Sequence, residues 1–255
     1  MNPNVTRNHD VTSSYTFSFH GHTLSAHADG ALILDDHTLL VADLHLGKGE
    51  ALSREGKGNF PCHDTPAGLF YLEQLVETHS YTKRMILLGD SFHRTKSLNR
   101  LSHDNLCRLQ NLNRATPLYF VHGNHDGPLD RTFGFRQCAY LYWGDLVLTH
   151  EPWDGDEPFI CGHLHPVVRV QTSLKRFRGR AFLIGDQGVV CPAAGAYAGG
   201  LNVCHDAFSL WHKASSHALM MTNNHLYPMP YQHWIDDTHQ QSLRLRSSKR
   251  AHLKK

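Results

Sequence analysis

Five times between residues 39 and 165, a short apolar run stops at a cluster of Asp, Asn, His and Gly. The runs end in Asp43-Leu44-His45, Gly89-Asp90-Ser91-Phe92-His93, Gly123-Asn124-His125-Asp126, Thr149-His150-Glu151 and Gly162-His163-Leu164-His165. A short apolar segment closed by glycine reads as a buried strand. A chain that repeats this pattern carries several buried strands side by side, with their polar ends along one edge of a sheet. In open α/β sheets that edge, outside the carboxyl ends of the strands, is where ligands collect. If strand spacing continues through residues 43 to 45, Asp43 and His45 project to the same side.

The segments between the early runs favour helices. Residues 64–80 place Leu69, Leu72, Leu75 and Val76 on one stripe, with Asp64 or Thr65 suited to the cap and Pro66 to the first turn. Residues 97–114 carry a second stripe through Leu98, Leu101, Leu106, Leu109 and Leu112. Strands alternating with helices predict a largely parallel sheet with helices on its faces. Residues 15–42 contain short alternating segments that lead into the core, and after residue 135 only short strand-like segments follow. The expected fold is α/β: a two-sheet sandwich flanked by helices. Residues 47–57, glycine-rich at their start, read as a loop. The expected organisation is a catalytic domain over residues 1–211 and a His-rich, basic, poorly ordered extension over 212–255.

Composition narrows the class. Hydrophobic residues make up 40% and charged residues 19%, which is ordinary for a soluble globular protein. No stretch reaches the roughly 20 apolar residues of a membrane span, and the polar N-terminal segment lacks the layout of a signal peptide. The six cysteines are scattered without a Cys-x-x-Cys pair, which argues for reduced thiols in the cytoplasm and against a zinc finger. The 22 histidines far exceed what the five clusters use, so most are surface or turn residues. The net charge is +2, yet no acid follows Asp237 while six Arg or Lys do. Subtracting those six leaves −4 for the body, so the basic charge sits in the tail.

Carboxylate, amide and imidazole together suit Mn²⁺, Fe or Zn²⁺, and no thiolate is present to select a softer ion. Two such ions about 3.5–4 Å apart clamp the attacking and leaving oxygens of a phosphoryl displacement and lower the pKa of bound water toward about 7.

In this order, Asp-x-His, Gly-Asp, Gly-Asn-His-Asp, His and Gly-His-x-His resemble the calcineurin-like metallophosphoesterases. A narrower resemblance covers residues 24–204. "ADLHLGKGEALSREG", "GDSFH", "GHLHP" and "CPAAGAYAGGLNV" look like the bacterial ligase-associated DNA damage response endonucleases. The extension after residue 211 and "PAAGAY" depart from that subfamily. The resemblance implies one divalent ion, most often Mn²⁺, on Asp43, His45 and His165. It implies a second on Asn124, His150 and His163, with Asp90 bridging. His125 would serve as the general acid and Asp126 would orient it. His93, Lys48 and Arg54 are candidates for substrate contact, with Lys57 in the same loop, whereas His122 reads as structural. The basic stretch 173–181 could form a hairpin tip that grips a nucleic-acid backbone, or a plain solubilising turn.

The expected activity is that of a cytoplasmic two-metal phosphodiesterase. It would act as a DNA endonuclease in DNA repair, with DNA as substrate and DNA ligase and helicase as partners, and without a membrane. Two alternatives stand beside it: a phosphoesterase for nucleotides or other small molecules, and a catalytically inactive protein-binding scaffold on the same fold.

Overall fold

The computed structural model describes residues 13–56, 63–93, 101–126, 129 and 134–237. One sheet is built from β1 (Ser14–Phe19), β2 (His22–His27), β3 (Leu32–Leu34), β4 (Thr38–Val41), β5 (Arg84–Leu88), β6 (Leu118–Val121) and β7 (Arg136–Cys138), in that spatial order. β1 to β4 run antiparallel as a meander, and β4 to β7 are parallel. The switch has a simple cause. Tight turns join the first four strands, whereas α2 (Asp64–Thr78) and α3 (His103–Ala115) provide the long crossovers that parallel neighbours require.

Alternation divides the strand residues between two cores. Leu40, Ala42, Ile86 and Leu88 face the second sheet. Leu39, Val41, Met85 and Leu87 face Leu69, Leu72 and Leu75 of α2 and Leu109 and Leu112 of α3. Strands buried on both faces read as unbroken apolar runs, which is why they are visible in sequence. Each buried leucine of α2 contributes about 1.5–3 kcal/mol relative to exposure.

The second sheet contains β8 (Leu141–Trp143), β9 (Leu146–Leu148), β10 (Phe159–Cys161), β11 (Pro166–Gln171), β12 (Arg176–Ile184), β13 (Gly188–Val190) and β14 (Leu201–Asn202). Their order is β14-β11-β12-β13-β10-β9-β8. Its inner residues, among them Leu146, Leu148, Ile160, Phe182 and Val189, close the core between the sheets. Its outer face packs beneath Phe208 and Trp211 of a 3₁₀ turn and beneath Trp234. The α/β two-sheet sandwich is therefore present, with the α-helices on the outer side of the first sheet.

Three local expectations need correction. Lys48–Arg54 is a short helix, α1, and not a loop. Asp64 does not cap α2, because its carboxylate accepts the Gly49 backbone N–H at 2.9 Å and ties α1 to the start of α2. The folded sheet also continues past residue 211. β15 (His217–Thr222) pairs with β12, and β16 (His225–Pro230) pairs with β15. Polar and proline residues hide this hairpin in sequence. Pro228 and Pro230 are tolerated because β16 lies at the sheet edge. Asn224 (φ 65°) takes the left-handed position of the two-residue turn. The basic segment 242–255 lies outside the described residues.

Leu219, Met220 and Leu226 of this hairpin are buried to between 0% and 4% exposure. Losing their burial costs about 5–9 kcal/mol, comparable with the whole stability of a typical domain. A chain ended at residue 211 is therefore expected to lose its cooperative unfolding transition, as read by calorimetry against the full chain.

Candidate metal centre

The five polar strand ends meet at one end of the sandwich. Asp43 and His45 follow β4, Asp90 follows β5, and Asn124 follows β6. His150 follows β9, and His163 and His165 follow β10. The backbone there is unusual. Asp43, His45, Asp90, His163 and His165 have φ between 46° and 67°, and they supply five of the nine non-glycine residues with positive φ among those described. Left-handed backbone costs a non-glycine residue on the order of 1–3 kcal/mol and persists where the surroundings enforce it. Here Asp43 N–H donates to Gly89 O at 3.2 Å and His45 N–H to Asp90 O at 2.8 Å. Asp43 and His45 thus point together, as the sequence suggests, but through left-handed geometry beyond β4 and not through the pleat of a strand.

The side chains form two connected groups. In the first, Asp43, His45 and His165 each offer a ligand atom within 4.8 Å of the others, and in the second Asp43, Asp90 and His150 do the same. The contacts are close: His165 Nε2 lies 3.2 Å from Asp43 Oδ1, and His45 Nε2 lies 3.4 Å from His165 Nε2. On the other side, His150 Nε2 stands 3.0 Å from Asn124 Oδ1, 3.1 Å from His163 Nδ1 and 3.6 Å from Asp90 Oδ1. Asp90 Oδ2 is 3.9 Å from both His45 Nδ1 and His125 Nε2. Asp43 belongs to both groups, and Asp90 presents one oxygen to each side.

Proton bookkeeping tests whether this set suits cations. His165 Nδ1–H donates to Gly199 O at 3.1 Å, and His150 Nδ1–H donates to Leu88 O at 3.0 Å. In the neutral rings, both Nε2 atoms are therefore lone-pair acceptors. His165 Nε2 then faces a carboxylate oxygen, and Asp43 Oδ1 and His45 Nδ1 are buried without a hydrogen-bond partner. Acceptors aimed at one another around two buried carboxylates require positive charge between them. The residues fit a pair of divalent ions, with the tautomers fixed by backbone carbonyls.

Burial reinforces this. It drives the His45 imidazole down to about 2, with help from Lys48 and neighbouring histidines, so the ring stays neutral. Burial and then His150 lower His163. Lys48 is lowered by burial, while Asp90 and Asp43 pull it back up, which places its ammonium in the field of the centre. His93 is lowered by burial and then by Lys48, and its ring stacks on His125 at 5.5 Å. The His93 ring thus neighbours those of His45 and His125, and Lys48 interacts electrostatically with Asp90 and Asp43. Arg54 is not brought there: its exposed guanidinium pairs with Glu50, one turn earlier on α1, at 2.5 Å.

His125 stands at the mouth with its side chain 47% exposed, and its backbone N–H donates to Asp90 Oδ1 at 2.9 Å. Asp126 does not orient it. The Asp126 carboxylate instead accepts the N–H groups of Ser91, Phe92 and Gly123 at 2.9–3.1 Å, clamping the loops after β5 and β6 together. Burial raises this carboxyl against those bonds. His122 is structural, its Nε2 3.0 Å from Gln137 Oε1. Glycine permits the close approach beneath the ligands. A Cβ on Gly123 would lie 2.2 Å from Asp90 N, and one on Gly89 (φ 76°) 2.3 Å from His150 Nδ1. The carbonyls of Leu88 and Gly199 were not among the expected site groups, because a backbone carbonyl leaves no mark in residue type.

Fold and site together define a metal-dependent phosphoesterase. Residues 37–237 match the calcineurin-like phosphoesterases, and the chain belongs to that family. No functionally curated protein gives a significant sequence match. Among solved structures, the Pseudomonas putida nuclease MPE aligns with a TM-score of 0.64 and 22% identity, covering 85% of this chain and 100% of that one. Yfce, a phosphoesterase from E. coli, aligns with a TM-score of 0.32 and 15% identity over 71% of this chain and 87% of that one. No helix among the described residues is long and apolar enough to cross a membrane.

Proposed function

We propose that the chain is a dinuclear phosphodiesterase that cleaves DNA. It would work in the cytoplasm in DNA repair, alongside a DNA ligase and helicase, in the manner of the ligase-associated endonucleases it resembles. The observation that carries the reading is a single one: seven metal-type side chains converge with a half-exposed His125 beside them. Asp43, His45 and His165 would hold one ion, and Asn124, His150 and His163 the other, with Asp90 between. Mn²⁺ suits this oxygen- and imidazole-rich set. When bound, the ions supply charge neutralisation at the phosphoryl group and an activated water.

The chain's own residues divide the remaining work. Lys48, within the field of Asp43 and Asp90, would offer its ammonium to a phosphate oxygen at the centre. His125 Nε2 would hand a proton to the departing oxygen, with the His93 ring stacked 5.5 Å from its own. The shallow groove of 360 Å³ beside His163 and His165, edged by Leu164, Gly199, Gly200 and Leu201, leaves room for a substrate extending away from the reacting phosphorus.

The test is a Mn²⁺-titrated assay comparing a small phosphodiester, a phosphomonoester, and single-stranded, hairpin and duplex DNA. Diester and DNA cleavage are expected. A monoester hydrolysed much faster than the diester, with DNA left intact, would instead assign the centre to small phosphate esters.

A further inference from the structure

We infer that Arg176, Arg178 and Arg180, on one face of β12, form a track for the phosphodiester backbone of a nucleic-acid strand flanking the scissile bond. The inference rests on the phosphodiesterase reading above. The three occupy alternate positions of a strand, so their side chains leave the same face about 6.8 Å apart. All three are exposed. They stand in a body whose net charge is negative, which makes a local concentration of cations conspicuous.

Their partners set them apart from the other described arginines except Arg114, which holds the neutral Asn111 Oδ1 at 2.8 Å within α3 and shares no strand face with further cations. Arg54, Arg108 and Arg169 pair with Glu50, Glu73 and Asp237. Arg84 and Arg136 lie over the rings of Trp143 and Tyr119. Among the described residues, no carboxylate forms an ion pair with Arg176, Arg178 or Arg180. Each guanidinium is steadied by a neutral oxygen instead: Gln171 Oε1 at 3.0 Å, Gly200 O at 3.3 Å and Ala193 O at 2.6 Å. One neutral contact orients the fork and leaves most of its five donors free for phosphate oxygens.

The track also begins at the centre. β11 starts directly after His165 and leads to the hairpin with β12. Arg178 holds Gly200 O, and the adjoining Gly199 O accepts from His165 Nδ1. A strand whose scissile phosphate lies at the ligand cluster would therefore pass the Gly199-Gly200 segment and meet the arginines. An acidic protein or an anionic membrane would also be attracted to such a surface, but neither explains its continuity with the metal ligands.

The test uses the full chain with Mn²⁺ and the variant Arg176→Ala/Arg178→Ala. Its readouts are kcat/KM for a single-stranded oligonucleotide from ~50 to ~200 mM salt and kcat/KM for bis(p-nitrophenyl) phosphate. The oligonucleotide-to-small-diester ratio is expected to fall about fivefold or more, and the salt slope to shrink by about 1.4, at about 0.7 per lost contact. Arg176→Lys/Arg178→Lys should restore most of the slope, because a point charge still releases counterions. An unchanged ratio and slope would remove the track, as would equal losses on both substrates, which would reveal only a prop for the His165 loop. Wild-type binding to anionic vesicles that depends on these arginines, with DNA kinetics unaffected, would reassign the surface. If the wild type cleaves no DNA, the nuclease reading fails and the track falls with it; DNA cleavage with an unaltered variant removes the track alone.

Discussion

Asp90→Asn is expected to melt about 3–6 °C above the wild type in chelator at pH 8, and below it in saturating Mn²⁺, while kcat/KM for a phosphodiester falls by about 10³ or more. The opposite signs follow from the protein's own charges. Asp43 and Asp90 are 0% and 2% exposed, and their oxygens lie within 4.8 Å of one another. Two like charges at that separation repel by about 3 kcal/mol at an effective dielectric of about 20. Neutral His45 cannot relieve them, and Lys48 does so only in part. Asparagine removes one charge, keeps the shape, and retains an oxygen for the His125 N–H that now donates at 2.9 Å. Shape matters because Gly123 leaves no space beside Asp90. With metal present the balance reverses, since bound ions stabilise the folded state in proportion to their affinity and the amide weakens that affinity. Differential scanning calorimetry in the two conditions, with metal stoichiometry by elemental analysis, checks it. A variant that melts lower in both conditions would show that repulsion between the carboxylates is not what the metals relieve.

That result concerns residues plainly legible in the sequence, and the reason is physical. β4, β5 and β6 are buried on both faces, so they appear as uninterrupted apolar runs, and the residues that end them stand out by contrast. The left-handed backbone of Asp43, His45, Asp90, His163 and His165 was not legible, because residue type signals positive φ mainly through glycine and asparagine. Asp64 and Asp126 look like a helix cap and a partner for histidine. Both are spent on backbone N–H groups, of Gly49 in α1 for Asp64 and of Ser91 and Phe92 as well as nearby Gly123 for Asp126. The longer-range contacts among these are ones that only the folded chain creates. The β15–β16 hairpin is hidden in the sequence for a related reason. His217, Pro228 and Pro230 suggest a solvated segment until β12 supplies the neighbour against which Leu219 and Met220 are buried.

His125→Ala separates the roles of metal and imidazole. The substitution leaves the backbone N–H that donates to Asp90, so that tie to the ligand cluster is kept. It removes a ring whose Nε2 stands 3.9 Å from Asp90 Oδ2 and which meets the His45 ring edge-on at 5.7 Å and stacks on His93. The variant is therefore expected to bind the same number of metal ions as the wild type. A positioned proton donor contributes about 10²–10⁴ in rate, and only where the departing oxygen needs the proton. For DNA or an alkyl diester, whose alkoxide is a poor leaving group, the full loss of about 10²–10⁴ is expected. For bis(p-nitrophenyl) phosphate, whose phenolate is stable in water, the loss should stay under about tenfold. Equal losses on the two substrates would make His125 a positioning group for the phosphate. Undiminished turnover on the alkyl ester would take the proton from this ring and leave the departing oxygen to solvent.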